Sequence, residues 1–366
     1  MRCASAPDCW RAAKGFMIHR TVRKNGCLHR ATAMITIRHD TLRHAALGAL
    51  AVAHMLAAAI TAGAAQQYPD RPIKMLVGFS AGGGTDVAAR IIAPTLGEAL
   101  GQSVVVENRT GASGLIAAEA VARAAPDGYT LMMGSQTTLA VAPNLYRKYT
   151  LDAARDFSGV ALTGTSPLVL VVNPKLPVRS VGELIALAKE KPGTLNFASG
   201  GVGTTPHMAG ELFRLIAGIN VVHVAYRGEA PAINDLLGGQ IPMMFANLSA
   251  VIGHVQGGAL RALAVASPKR SPGAPDVPTL AEAGLPGCEV ETWFGVVAPA
   301  GTPRAIVTRL NAEAQRALAQ ADVQKRLAAL GMTAGGGSAE EFDATIRAEI
   351  AKWTKVIREA DIKAAE

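Results

Sequence analysis

The sequence predicts an α/β fold with mostly parallel sheets, and three observations point to it. Apolar strand-like runs and longer helix-like runs alternate from Tyr68 to the end of the chain. Two glycine-rich segments, Ser80-Ala81-Gly82-Gly83-Gly84-Thr85-Asp86 and Ser199-Gly200-Gly201-Val202-Gly203-Thr204-Thr205, each follow a strand-like run and open a helix-like one. No repeat with a period of about 20–50 residues is visible, which argues against solenoids and propellers.

Ile73–Phe79 reads as the first strand, an apolar run ending at the first glycine segment. A helix follows from Asp86 to about Leu100, with Pro94 expected to kink it. Val104–Glu107 is strand and Leu115–Ala124 helix, and Asp127-Gly128 turns the chain into the strand Thr130–Gly134. Leu168–Val172 is a buried strand stopped by Asn173-Pro174. Ser180 with Glu183 forms a capping box for a helix through Ala188. Around the second glycine segment come the strand Leu195–Ala198, a helix near His207–Ile216, the strand Val221–Val224 and a helix near Pro231–Leu237. Met243–Phe245 and Leu263–Ala266 are short strands, and Phe294–Ala298 is a strand before three helices. The last helix starts at a second capping box, Ser338 with Glu341, and runs to about Ala360 with Ile346, Ile350, Trp353 and Ile357 on one face. Asn173-Pro174 and the Pro/Gly-rich stretch Ser271–Pro278 are plausible crossing points between two lobes. The first lobe is expected to be discontinuous, 68–168 plus 291–366, and the second continuous, 169–290.

The first 65 residues read differently. Residues 1–33 scatter Cys3, Cys9, Cys27 and basic residues without periodicity, and read as an extension upstream of a true start at Met34. Arg38, His39, Arg43 and His44 then precede the uncharged run Ala45–Ala65, and small residues at Gly63 and Ala65 suit a signal peptidase. Residues 34–65 are therefore expected to be a secretory signal peptide cleaved near Ala65. A retained membrane anchor is the competing reading, weakened by His54 and by the richness in alanine. Nine of the 36 Lys/Arg and two of the 28 Asp/Glu lie in this leader, so the remainder is nearly neutral. The formal net charge of +8 thus gives no support for a nucleic-acid partner. Cys288 is the one cysteine past the leader, too few for an internal disulfide or a cysteine-rich metal site.

The glycine segments carry the chemistry. A strand, a tight glycine turn and a helix start present main-chain N–H groups at the positive end of a helix dipole, which suits an anion. Two of them predict a pincer closing on an acidic small molecule. Glycine admits the ligand close to the backbone, and Thr85, Thr204 and Thr205 add donors without adding charge. Asp86 would repel an anion, and reads as a first-turn carboxylate paired with Arg90 four residues on. Taken singly, either segment could be a plain turn. A dinucleotide site is the first competitor, with Glu107 in the place of a ribose-binding acid, but Val87 and Pro206 stand where the third glycine belongs. A secreted hydrolase is the second, but G-x-S-x-G is absent and only His207, His223 and His254 remain past the leader. No metal-ligand spacing is present either, so neither metal nor cofactor is expected.

A more specific pattern starts at Tyr68-Pro69-Asp70-Arg71-Pro72-Ile73. It continues through Phe79 to Asp86, Ala89-Arg90, Val106-Glu107-Asn108-Arg109 and Ala125-Pro126-Asp127-Gly128-Tyr129. Gly203-Thr204-Thr205-Pro206-His207, Tyr226-Arg227-Gly228, Asp235-Leu236-Leu237-Gly238-Gly239-Gln240, Trp293-Phe294-Gly295 and Ala298-Pro299-Ala300-Gly301-Thr302-Pro303 complete it. In this order the chain resembles the Bug-type substrate-binding proteins of tripartite tricarboxylate transporters across essentially all of 68–366. The resemblance implies a two-lobed periplasmic-binding-protein fold, type II like, with a hinge between the lobes. It implies a periplasmic, non-enzymatic monomer that captures a dicarboxylate, tricarboxylate, acidic or aromatic acid for membrane permease subunits or a sensor. Carried over by position, Phe79, Ser80, Ala81, Gly82, Gly83, Gly84, Thr85 and Asp86 hold the ligand from one side. Ser199, Gly203, Thr204 and Thr205 hold it from the other, with His207 at the following helix start touching ligand or packing. Ser135 and Gln136 would add a polar contact. One position departs from the pattern: where relatives commonly carry Asp, this chain has Ala246 followed by Asn247. That shifts the expected ligand at Ala246 from an amino acid toward a less polar or aromatic acid.

Overall fold

The computed structural model describes residues 68–146 and 148–359. The expected extension, the signal peptide, its cleavage point near Ala65 and the helix end at Ala360 lie outside the described residues. Among the described residues, no helix is long and apolar enough to cross a membrane.

The chain opens with β1 (Ile73–Val77), α1 (Gly84–Leu100), β2 (Val104–Asn108), α2 (Leu115–Ala122) and β3 (Thr130–Ser135). After a π-helical turn at Thr137–Val141 come α3 (Ala153–Asp156), β4 (Phe157–Val172), α4 (Val181–Glu190), β5 (Asn196–Ser199) and α5 (Thr205–Ala217). Then follow β6 (Val222–Ala225), α6 (Glu229–Gly238), β7 (Met243–Asn247), α7 (Leu248–Gln256) and β8 (Arg261–Val265). The chain ends with β9 (Glu291–Pro299), α8 (Arg304–Ala319), α9 (Ala321–Ala329), β10 (Thr333–Ala334) and α10 (Ala339–Glu359).

The strands hydrogen-bond in the order β2-β1-β3-β9-β4-β7-β5-β6, with β8 and β10 attached to β4. The pairs that carry the glycine turns are parallel: β1 with β2 and β3, and β5 with β6 and β7. Parallel register gathers strand C-terminal ends, where α/β folds place ligands. Between the two parallel groups, β9 and β4 run antiparallel to their neighbours. β4 pairs with β9 from Phe157 to Pro167, then with β7 and β8 from Leu168 onward.

Strand alternation puts side chains into apolar cores on both sheet faces. In β4, Leu168, Leu170 and Val172 join Phe197, Phe213 and Phe245, while Val169 and Val171 join Leu236, Met244 and Val251. In β1, Ile73, Met75 and Val77 pack with Ile92 and Leu96 of α1 and Leu310 of α8, and Leu76 faces the other way.

Two elements differ from expectation. β4 begins eleven residues before Leu168, through a stretch in which Ser158, Gly159 and Gly164 pair with β9. Gly164 is needed there: a Cβ would come within 2.6 Å of the Thr333 carbonyl in β10. Pro94 lies inside α1 without splitting it.

Candidate functional site

The turn after β1 and the turn after β5 line one cavity, and the second is tied to the segments that follow β2 and β3. Ser113 Oγ, beyond β2, donates to the Val202 carbonyl at 2.5 Å, and Tyr146 Oη donates to the same oxygen at 3.1 Å. The Thr205 N–H, opening α5, donates to Thr137 Oγ1 at 2.9 Å. Between the turns lies a small cavity of about 20 Å³, room for about one water. Its walls are Phe79, Gly83, Gly84 and Thr85 from the first turn and Gly200, Thr204 and Pro206 from the second. Ser135 and Thr137 close it from the end of β3, Thr292 from β9, and Glu229 and Asn247 from the starts of α6 and α7.

The lining joins apolar surface to uncharged polar side chains, and Glu229 is its one ionisable residue. Ser135 Oγ, Thr292 Oγ1 and Asn247 Oδ1 have no hydrogen-bond partner among the described residues, although the residues are only 1%, 2% and 6% exposed. A buried polar group without a partner costs about 1–3 kcal/mol, so three around one cavity mark a place that something else fills.

Of the residues expected to hold ligand, Phe79, Gly83, Gly84, Thr85, Ser135 and Thr204 line this cavity. The others lie beside it or turn away. Ala81 and Gly82 are exposed, and Ser80, with an unpartnered hydroxyl, packs against Gly228. Asp86 accepts from the Gly82 N–H, Arg90 Nε and Asn108 Nδ2. Burial works to raise its pKa, but these donors hold it below the ordinary carboxylate value. Gln136 donates to Glu349 of α10 and accepts from Thr205 Oγ1, facing away from the cavity. The Thr204 hydroxyl caps α5 by accepting from the His207 N–H at 3.3 Å. Gly203 donates to His207 Nδ1 at 3.1 Å, and Ala246 is wholly buried in β7. Although Ala246 brings no acid and does not line the cavity, Glu229 adds a carboxylate to its lining.

Ser199 and His223 form a pair that sequence reading did not find, Oγ to Nε2 at 2.7 Å. Ser199 Oγ also accepts from the Gly201 N–H and lies outside the cavity, and no carboxylate bonds His223 among the described residues. The pair holds the turn. Glu107, the imagined ribose-binding acid, is taken by Arg109 and Lys74.

Glu229, Asn247, Thr137 and Thr292 were missed. Glu229 and Asn247 gave one signal, polar residues directly before apolar helical runs. Thr292 gave none.

Residues 88–362 match the model of the "Tripartite tricarboxylate transporter family receptor". The chain belongs to that family. It is 42% identical to BugT of Bordetella pertussis over 300 residues, 82% of this chain and 92% of BugT. Rpa4515 of R. palustris, solved with adipate, superposes with a TM-score of 0.79 at 40% identity, covering 81% of this chain and all of that one. MatC of Rhodopseudomonas palustris, solved with malate, gives 0.76 at 34% identity, covering 79% of this chain and 100% of that one. The α/β fold expected from sequence is also that of the periplasmic binding protein BugD, which superposes with a TM-score of 0.78 at 34% identity, covering 81% of this chain and 100% of that one.

A larger groove on this receptor, about 290 Å³, is lined by Met208, Leu212, Leu215, Val290, Trp353 and neighbours. We place the site in the smaller cavity because the groove lacks what an acid needs. Its lining joins apolar side chains to the carboxylates of Glu211, Glu289 and Glu291, and its two cations are engaged, Arg214 with Glu211 and Lys352 with Glu349; Gln136, expected to hold ligand, also lines it.

Proposed function

We propose that this protein is a periplasmic receptor that captures a small carboxylate-bearing metabolite in the cavity between the 80–86 and 199–205 turns. The convergence of Ser135 Oγ and Thr292 Oγ1, two buried hydroxyls without a partner, on one cavity carries the reading. The adipate and malate held by two family members supply the chemical class. A cavity for one water cannot take such an acid, so the segments around it part to admit it and close over it.

Two lobes, 68–168 plus 291–366 and 169–290, would move as the halves. The change of β4 partners between Pro167 and Leu168, and the start of β9 at Glu291, support those boundaries. Export by the 34–65 signal peptide and delivery to permease subunits or a sensor complete the proposal, with the monomer as the working unit.

The test is calorimetry against mono-, di- and tricarboxylates, amino acids and aromatic acids, with Ser135→Ala and Thr292→Val alongside the native chain. Both hydroxyls lack partners without ligand, so their loss should leave stability unchanged or slightly higher. Affinity for the captured acid should fall about tenfold for each, the value of one hydrogen bond. Stability loss with affinity intact would overturn the reading. So would indifference to every acid alongside turnover of an ester.

A further inference from the structure

The side chain of Glu229 occupies a position suited to a ligand acid. It opens α6 and reaches the start of α1, where the Gly84 N–H donates to Oε2 at 3.0 Å. Oε1 takes the N–H of Asn247, directly before α7, at 2.5 Å, and the Asn247 amide donates to Oε2 at 3.0 Å. One carboxylate thus bridges the positive ends of two helices. All three donors are neutral, and the residue is 6% exposed. Burial pushes its carboxyl up, and the Asn247 amide and the two N–H groups pull against that rise.

The charges around it are already committed or turned outward. Asp86 on α1 is held by Arg90, and Asp235 on α6 accepts from the Tyr226 hydroxyl. Arg227 before α6 and Glu291 beside Thr292 are exposed. β3, β7 and the 199–205 turn carry no ionisable residue, and α7 carries only His254, in its last turn. Beside Glu229, Ser135 Oγ and Thr292 Oγ1 offer donors with nothing to bond, each on a residue more than nine-tenths buried. The next group to enter therefore meets two free hydroxyls and an acid cut off from water. Two carboxylates in one buried site do not both stay ionised; the pair retains a proton.

We propose that Glu229 is the specificity-determining residue of this cleft, and that a ligand carboxylate seats beside it together with one proton, taken from solvent and shared by the two acid groups. This rests on the receptor reading above. The two hydroxyls orient the ligand oxygen, and Glu229 selects acids able to share the proton.

Calorimetry with adipate and malate as probes, in phosphate and in Tris at one pH, reads the proton directly. The native protein should take up close to one proton per acid bound, with affinity falling about tenfold per pH unit on the alkaline side. Glu229→Gln should bind with no proton uptake and a flat pH profile, and more tightly than the native chain near pH 8. Glu229→Ala serves the same comparison if the glutamine variant does not fold. Binding by the native chain without proton uptake, or the same pH slope in both variants, would overturn the proposal and leave the receptor intact. Absence of binding by any form to any acid in the wider panel would overturn the receptor reading itself.

Discussion

Gly84 shows how one missing side chain sets the site. It is the first residue of α1, where alanine would ordinarily favour the helix by about 1 kcal/mol. Here a Cβ would lie 2.8 Å from Asn247 Cγ and 2.9 Å from its Cβ, atoms near the backbone that cannot swing clear. Gly84→Ala should therefore destabilise the protein by about 1–3 kcal/mol in urea denaturation, with loss of acid binding. A more stable variant with native affinity would show that α1 and Asn247 do not meet this closely. At this scale the sequence exposed the glycines but not their partners. A strand–glycine–helix pattern is local and can be read along the chain. Glu229 comes 145 residues after Gly84, and no spacing announces that pairing. The departure at Ala246 was visible, but the acid that bonds the next residue, Asn247, comes from the start of α6. Asp86 with Arg90 was legible because both sit on one helix, four residues apart.

At the scale of elements, α5 meets β6 through two imidazoles, His207 and His223, with ring centroids 4.0 Å apart and the rings tilted by 34°. Burial lowers both pKa values from 6.5, to about 4 for His207 and about 3 for His223, where the neighbouring ring adds to the effect. The unfolded chain then binds more protons than the folded one between these values and 6.5. Stability should fall as pH drops below about 6.5, by about 1.4 kcal/mol per pH unit for each histidine. Thermal melts across that range check it, and His223→Gln should remove about half of the slope. A slope unchanged in that variant would assign the acid sensitivity to other groups. From the sequence His207 was expected to touch ligand or pack, His223 carried no site role, and their contact across elements was invisible. Local capping was legible. Ser338 and Glu341 exchange both bonds at the start of α10, and Ser180 accepts from the Glu183 N–H. β4 was legible only in its second half, since in the first half Gly, Ser and Thr interrupt the buried Phe157, Val160 and Ala161 and break the apolar run.

For the whole molecule, the α/β class followed from alternation, which survives wherever a sheet is covered on both faces. The antiparallel centre did not follow, because strand direction depends on which distant strands meet. Trp293 shows the same limit: its indole N–H reaches Glu349 of α10 at 3.3 Å, a partner outside any local window. The two turns, read as a pincer from sequence, face one another across a shared cavity. Whether an acid sits there is decided most directly by a crystal structure grown with adipate. The account expects an adipate carboxylate within hydrogen-bond distance of Ser135 Oγ and Thr292 Oγ1, next to Glu229. Adipate lodged instead in the outer groove by Leu215 and Trp353, with the inner cavity unchanged, would contradict it.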